Sequence, residues 1–132
     1  MTSKSSFSQS LEIIFPEHCN HYGTLFGGQA LQLLSKTAFV VATQFARKSV
    51  VMAAVNGVQF LQPIPQGSTL HLRGWITRLG ASSMTVCVHG LFNQPATAPE
   101  LALKALFEMV AVDAQGKPEA IDPSFCDGVN TQ

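Results

Sequence analysis

From Asn20 to Ser35 the chain reads N-H-Y-G-T-L-F-G-G-Q-A-L-Q-L-L-S. A polar amide, Asn20, precedes Gly23 and the pair Gly27-Gly28, and an apolar, helix-forming run follows at once. Glycine permits close backbone approach. A helix starting at the pair aims N–H groups without intrahelical acceptors at whatever lies in front of it. That is a place for an oxygen that carries or develops negative charge. The run contains no carboxylate, so it offers no general base of its own. Asparagine also ties turns, so Asn20 has a purely structural reading beside the chemical one.

Other reactive side chains group less well. His18, Cys19 and His21 lie close together, but no acid or further ligand accompanies them, and no metal site is expected. His71 and His89 fall on strand-like runs and read as structural.

The residues from Gly27 to Arg47 form the one long helix candidate, apolar around most of its circumference and therefore expected to be buried. Arg47 and Lys48 suit its C-terminal end. Leu11–Phe15, halted by Pro16, reads as a first strand. After the helix the period changes to two, with strands expected over 50–61, 69–79, 83–92 and 100–113. Leu70, Leu72, Gly74 and Ile76 should share one face. The last segment has helical composition but strict alternation from Leu101 to Ala111, and we read it as strand. One apolar helix beside a run of antiparallel strands implies an α+β fold in which the sheet wraps the helix. Residues 1–10 are Ser-rich and expected to fray, 11–118 form one domain, and 119–132 form a tail.

Hydrophobic residues make up 46% and charged residues 12%, a composition that favours burial against a second copy of the chain. The net charge is zero, which argues against nucleic acid or an anionic membrane as partner. From His18 through Pro99 there is no acid, against the five cations Lys36, Arg47, Lys48, Arg73 and Arg78. This bias either suits a small phosphate-bearing ligand or averages out on folding. Three cysteines without a CxxC pair fit a reducing compartment. No signal-like or membrane-spanning run is present, so a soluble, cytoplasmic protein is expected.

The segment P-E-H-C-N-H-Y-G-T-L-F-G-G-Q-A-L resembles the active-site loop and helix start of hotdog-fold acyl-CoA thioesterases of the bacterial YciA and mammalian brain-type group. V-N-G-V-Q-F-L-Q-P-I-P-Q-G, R-L-G-A-S-S-M-T-V and F-E-M-V-A-V-D-A-Q-G-K-P resemble three further segments of that group, in order, over roughly residues 11–118. The resemblance implies a hotdog fold, an antiparallel sheet around one central helix. It implies a homodimer, with hexamer or tetramer left open, and acyl-CoA in a cleft at the dimer interface. Coenzyme A would be part of the substrate, with no separate cofactor. Asn20 would position substrate or water, and an N–H at Gly27 or Gly28 would polarise the thioester carbonyl. Asn56, Arg78, Ser82 and Ser83 would lie near the coenzyme A portion, supplied by the partner chain.

Three departures set this chain apart from the group. The family's helix carboxylate falls at Ser35, the arginine of its V-G-R-S-S segment at Ala81, and the acid that follows its post-helix V-D at the neutral Asn56. Loss of a general base typically costs about 10²–10⁴ in rate. Glu17 and Glu108 are the candidate carboxylates for folding to bring to the site. Thioester hydrolysis is therefore the first reading, with Asn20, Gly28 and Ser35 at the chemistry. The alternative is a non-catalytic acyl-CoA-binding or regulatory hotdog protein. A hotdog dehydratase ranks last, because His21 matches its loop histidine poorly and its helix acid is absent.

Overall fold

The structure, a computed structural model, describes residues 6–122. Cys126 and Asp127 lie outside the described residues. The elements are β1 (Phe7–Ile13), a short 3-10 turn (Pro16–His18), α1 (Gly27–Ala46), β2 (Ser49–Phe60), β3 (Thr69–Leu79), β4 (Ser83–Asn93) and β5 (Glu100–Val112). The strands form one five-stranded sheet in the order β1-β3-β4-β5-β2, with every pairing antiparallel. The expected α+β arrangement of one helix against an antiparallel sheet is present, and the segment after Pro99 is strand.

Period-two alternation decides which sheet face meets the helix. Leu70, Leu72 and Ile76 of β3, Met84, Val86 and Val88 of β4, and Leu103, Ala105, Phe107 and Met109 of β5 are buried against Leu34, Ala38, Val41 and Phe45 of α1. Gly74 lies at the point of closest approach. A Cβ there would sit 2.9 Å from Thr37 Cγ2 and 3.1 Å from Val41 Cγ2, so glycine lets the helix settle onto the sheet. Arg47 caps α1 in the left-handed region at φ 55°, its N–H donating to Thr43 O at 2.9 Å. Lys48 then pairs with Glu119 at 2.7 Å.

Two expectations need correction. The first strand spans Phe7–Ile13 rather than Leu11–Phe15, so residues 7–10 do not fray; they pair with β3 from Phe7↔Trp75 onward. Its pattern is inverted for an edge strand. Ser8, Ser10 and Glu12 point towards Leu33, Lys36 and Val40 of the helix, while Phe7, Leu11 and Ile13 stay exposed on the other face. Polarity therefore misidentified the ordered residues. The helix is also only half covered within one chain: Leu31 and Val40 are exposed. The edge strand β2 is exposed along most of its length, including Val51, Met52, Val55 and Phe60. A long apolar edge of this kind is a template for pairing with another chain.

Candidate active site

The loop before α1 is organised around Asn20. Its Oδ1 accepts from Tyr22 N (3.0 Å), Thr24 N (3.2 Å) and Thr24 Oγ1 (3.2 Å), and its backbone N–H donates to Thr24 O at 2.8 Å. This is an Asx turn closed by a threonine. The structural reading of Asn20 is thus realised through the oxygen alone. Nδ2, a donor, has no acceptor among the described residues. The loop is fastened on both sides: Leu25 N donates to Ile64 O (2.8 Å) and Phe26 N to His18 O (2.9 Å).

Phe26 precedes α1 with no side-chain cap, and the first helical bond is Ala30 N to Phe26 O at 3.0 Å. The N–H groups of Gly27, Gly28 and Gln29 therefore lack acceptors among the described residues. No acidic side chain occupies the first turn. At Gly28 a Cβ would lie 2.7 Å from the Phe26 ring, so glycine is what allows that ring to fold over the helix start. Beside Gly27 opens a cavity of about 380 Å³, lined by Leu25, Ala30, Phe60, Leu61 and Ile64 with Gln62 as its polar group. No carboxylate lines it.

Ser35 is half-buried on the same stripe of α1 as Gly28 and Leu31, because seven residues bring the helix back to nearly the same face. Its Oγ donates to Leu31 O at 2.8 Å, which commits the single hydroxyl proton and leaves only lone pairs facing outward. Seven residues at 1.5 Å each place Ser35 about 10.5 Å along the axis from Gly28. One chain's Gly28 N–H and its own Ser35 are therefore too far apart to serve one reacting atom.

Neither rescuing carboxylate arrives. Glu108 sits on the sheet face away from the helix, where Thr85 Oγ1 donates to its two oxygens (2.8 and 3.0 Å). Glu17 is exposed in the 3-10 turn and lines no part of the cavity. Asn56 is exposed on β2 beside the bulge at Gly57, whose φ is 59°. Arg78, Ser82 and Ser83 belong to the β3–β4 hairpin, closed by Gly80 N to Ser83 O at 2.8 Å. The middle of β3, Gly74, faces Thr37 and Val41, so this hairpin lies towards the C-terminal end of α1. Within a single chain these residues are not gathered with Asn20, Gly27 and Gly28. Sequence reasoning missed the cavity walls, although the run F-L-Q-P-I that supplies them was in view; Phe60 and Leu61 read there only as strand residues.

The remaining reactive groups stand apart. Cys19 Sγ donates to Phe15 O at 3.4 Å, and His21 packs its ring on Tyr22 with centroids 3.9 Å apart. Among the described residues no group of three His, Cys, Asp or Glu gathers, and no helix is long and apolar enough to cross a membrane.

Known proteins share this architecture. The uncharacterized acyl-CoA thioester hydrolase YkhA of Bacillus subtilis is 35% identical over 106 residues, covering 80% of this chain and 62% of that protein. The chain thus spans about three-fifths of the length of the curated relatives it first matches. A hexameric acyl-CoA thioesterase crystallised without ligand superposes with a TM-score of 0.86 at 31% identity, covering 92% of this chain and 78% of that one. The acyl-CoA hydrolase of Staphylococcus aureus, solved with butyryl coenzyme A, coenzyme A and coenzyme A disulfide, gives 0.85 at 30% identity, covering 92% and 74%. Solved variants of that hydrolase replace an asparagine, an aspartate fifteen residues further on and a threonine seventeen residues beyond it, each by alanine. The family model of the thioesterase superfamily matches residues 22–95, which take in the end of the loop before α1, α1 itself and strands β2, β3 and β4. With the helix-on-sheet topology of the hotdog thioesterases and the family's own match over more than half its length, the chain belongs to the thioesterase superfamily.

Proposed function

We propose that the protein hydrolyses an acyl-CoA thioester to the free acid and coenzyme A, with a site built between two copies of the chain. The observation that carries this reading is the uncapped start of α1, which opens beside an apolar cavity with the free Nδ2 of Asn20 in the preceding loop. The N–H of Gly28, with that of Gly27, holds the thioester carbonyl oxygen as it gains negative charge. Asn20 Nδ2 donates to the substrate or the attacking water. Water adds to the carbonyl carbon, the carbon–sulfur bond breaks, and the water's proton leaves with the coenzyme A thiol. The cavity lined by Leu25, Phe60 and Ile64 takes the acyl chain.

Two-fold pairing along β2 covers the exposed Val51, Met52, Val55 and Leu31. An antiparallel partner lays its helix C-terminal end beside this chain's helix start. That brings the partner's copy of the Ser35 stripe, and the hairpin carrying Arg78, Ser82 and Ser83, towards the substrate, with Asn56 on the shared edge. Further association into a hexamer matches the assembly of the solved relatives. The cytoplasm is the compartment where free thiols persist.

Asn20 and Ser35 keep the fifteen-residue spacing of the asparagine and aspartate replaced in the Staphylococcus hydrolase, and at the threonine's spacing, seventeen residues beyond Ser35, stands Met52. Ser35 accepts a hydrogen bond from water through its lone pairs and orients it, but a neutral hydroxyl does not hold the proton. Hydrolysis is therefore slow for the family. Thiol release from a panel of acyl-CoAs, measured for wild type and Asn20→Ala, tests the reading: release that Asn20→Ala abolishes supports it. Binding of acyl-CoA without any release makes the chain a non-catalytic acyl-CoA-binding protein.

A further inference from the structure

On the sheet face away from α1, one row of paired residues crosses all five strands: Gln9 on β1, Arg73 on β3, His89 on β4, Lys104 on β5 and Gln59 on β2. Gly74 meets the helix on the opposite face, which fixes this row as outward. Residues paired in register have Cβ atoms about 4.5–5.5 Å apart, and like charges placed so destabilise a sheet. No carboxylate pairs with Arg73, His89 or Lys104 among the described residues. The nearest acid on β5, Glu108, is engaged by Thr85. A hollow of about 390 Å³ holds His89, Lys104 and Gln59 at one end of the row, and another of about 440 Å³ holds Arg73, Gln9 and His71 at the other. Every side chain of the row can donate a hydrogen bond. The ring of Trp75 stands edge-on to His89 with centroids 4.7 Å apart.

We propose that this row is a second ligand site, one that binds a phosphate-bearing small molecule across the outer face of the sheet. The argument needs neither the thioester site nor its chemistry. Arg73 and Lys104 supply fixed charge from either side, and the two glutamines close the ends. His89 sits between them, and burial together with Lys104 and Arg73 holds its pKa below the ordinary value. Besides these two cations, the titratable groups nearest on the packed strands are His71 on β3 and Cys87 on β4 itself. An anion laid on the row relieves the repulsion and draws a proton onto His89.

Trp75 is the single tryptophan of the chain and reports on His89 directly. Its fluorescence is followed while inorganic phosphate or adenosine 3′,5′-bisphosphate is added to the full-length protein, against sodium chloride at equal ionic strength. The expected result is a saturable change with both phosphates and none with chloride. Loss of one charge-assisted contact weakens it about tenfold or more in Arg73→Gln and in Lys104→Gln. Each variant, relieved of like-charge repulsion, melts no lower than wild type without ligand. A change that chloride reproduces, or one that survives both substitutions, overturns the proposal, as does the lack of any saturable change. Kinetics separate the sources of the phosphate. A KM raised by Arg73→Gln for acyl-CoA but not for acyl-pantetheine assigns the row to the substrate's nucleotide. Unchanged KM values beside weakened phosphate binding assign it to a free phosphorylated ligand.

Discussion

On the proposed function, replacing Ser35 by aspartate should speed thioester hydrolysis. In place of a hydroxyl whose proton is committed to Leu31 O at 2.8 Å, the substitution puts a carboxylate that accepts the proton of water. A positioned general base is worth about 10²–10⁴ in rate, or about 3–5 kcal/mol off the barrier at 1.36 kcal/mol per factor of ten. The structural cost is small. The lost bond is an i−4 back-bond of the kind that slightly destabilises helices, and aspartate in a helix interior costs a few tenths of a kcal/mol, about 0.7 at most against alanine. Ser35 lies on the half-buried stripe with Leu31 rather than in the closed core, so no buried methyl packing is disturbed. The assay is single-substrate thiol release at saturating acyl-CoA, with thermal melting as the control for folding. Ser35→Asn, which matches the shape without the basicity, should give no gain. A folded Ser35→Asp protein with kcat equal to or below wild type would refute the reasoning, because the stripe would then not face the reacting water.

Three further outcomes follow from the same geometry. Gly74→Ala should destabilise the fold by about 1–3 kcal/mol by thermal or urea melting, since its methyl would meet Thr37 and Val41 at 2.9 and 3.1 Å. Phe60→Ala should enlarge the cavity beside Gly27 and raise kcat/KM for octanoyl- relative to butyryl-CoA by about tenfold or more, while an unchanged ratio would move the acyl chain elsewhere. His89, with its pKa held down by burial, Lys104 and Arg73, takes up a proton more readily when unfolded. Its contribution is therefore present above the ordinary histidine pKa and is lost as pH falls through that value towards the lower folded one. A melting series from pH 8 to 5 should flatten in this window in His89→Gln.

What the sequence made legible was local periodicity. The alternation in β3 predicted the buried set Leu70, Leu72, Gly74 and Ile76, and the alternation from Leu101 to Ala111 outweighed a helical composition. The glycine pair marked the start of α1 at Gly27 because a helix start without a cap has a local signature. The Ser-rich part of β1 was illegible because its order comes from pairing with β3, from Phe7↔Trp75 to Ser10↔Leu72, far along the chain, and not from its own pattern. The row from Gln9 to Gln59 was equally hidden, since only register brings those five strands' residues into line. In the loop before α1, the amide and the helix start were readable, whereas the commitment of Oδ1 to the turn, with Nδ2 left without an acceptor among the described residues, required the hydrogen bonds. The distance from Gly28 to Ser35 followed from helix geometry alone, and a homodimer was expected from composition and resemblance, whereas the exposed β2 edge that the proposed two-chain site uses showed only in the structure.

The central claim is that an acyl thioester is hydrolysed at the start of α1 with Asn20 Nδ2 as a donor. Asn20→Asp tests it most directly, because it preserves an oxygen for Tyr22 N, Thr24 N and Thr24 Oγ1 while removing the amide donor. Coenzyme A release from butyryl-CoA should be measurable for wild type and fall by about 10²-fold or more in a normally melting Asn20→Asp protein. Equal release by the two proteins, or no release by wild type above the uncatalysed rate, would contradict it.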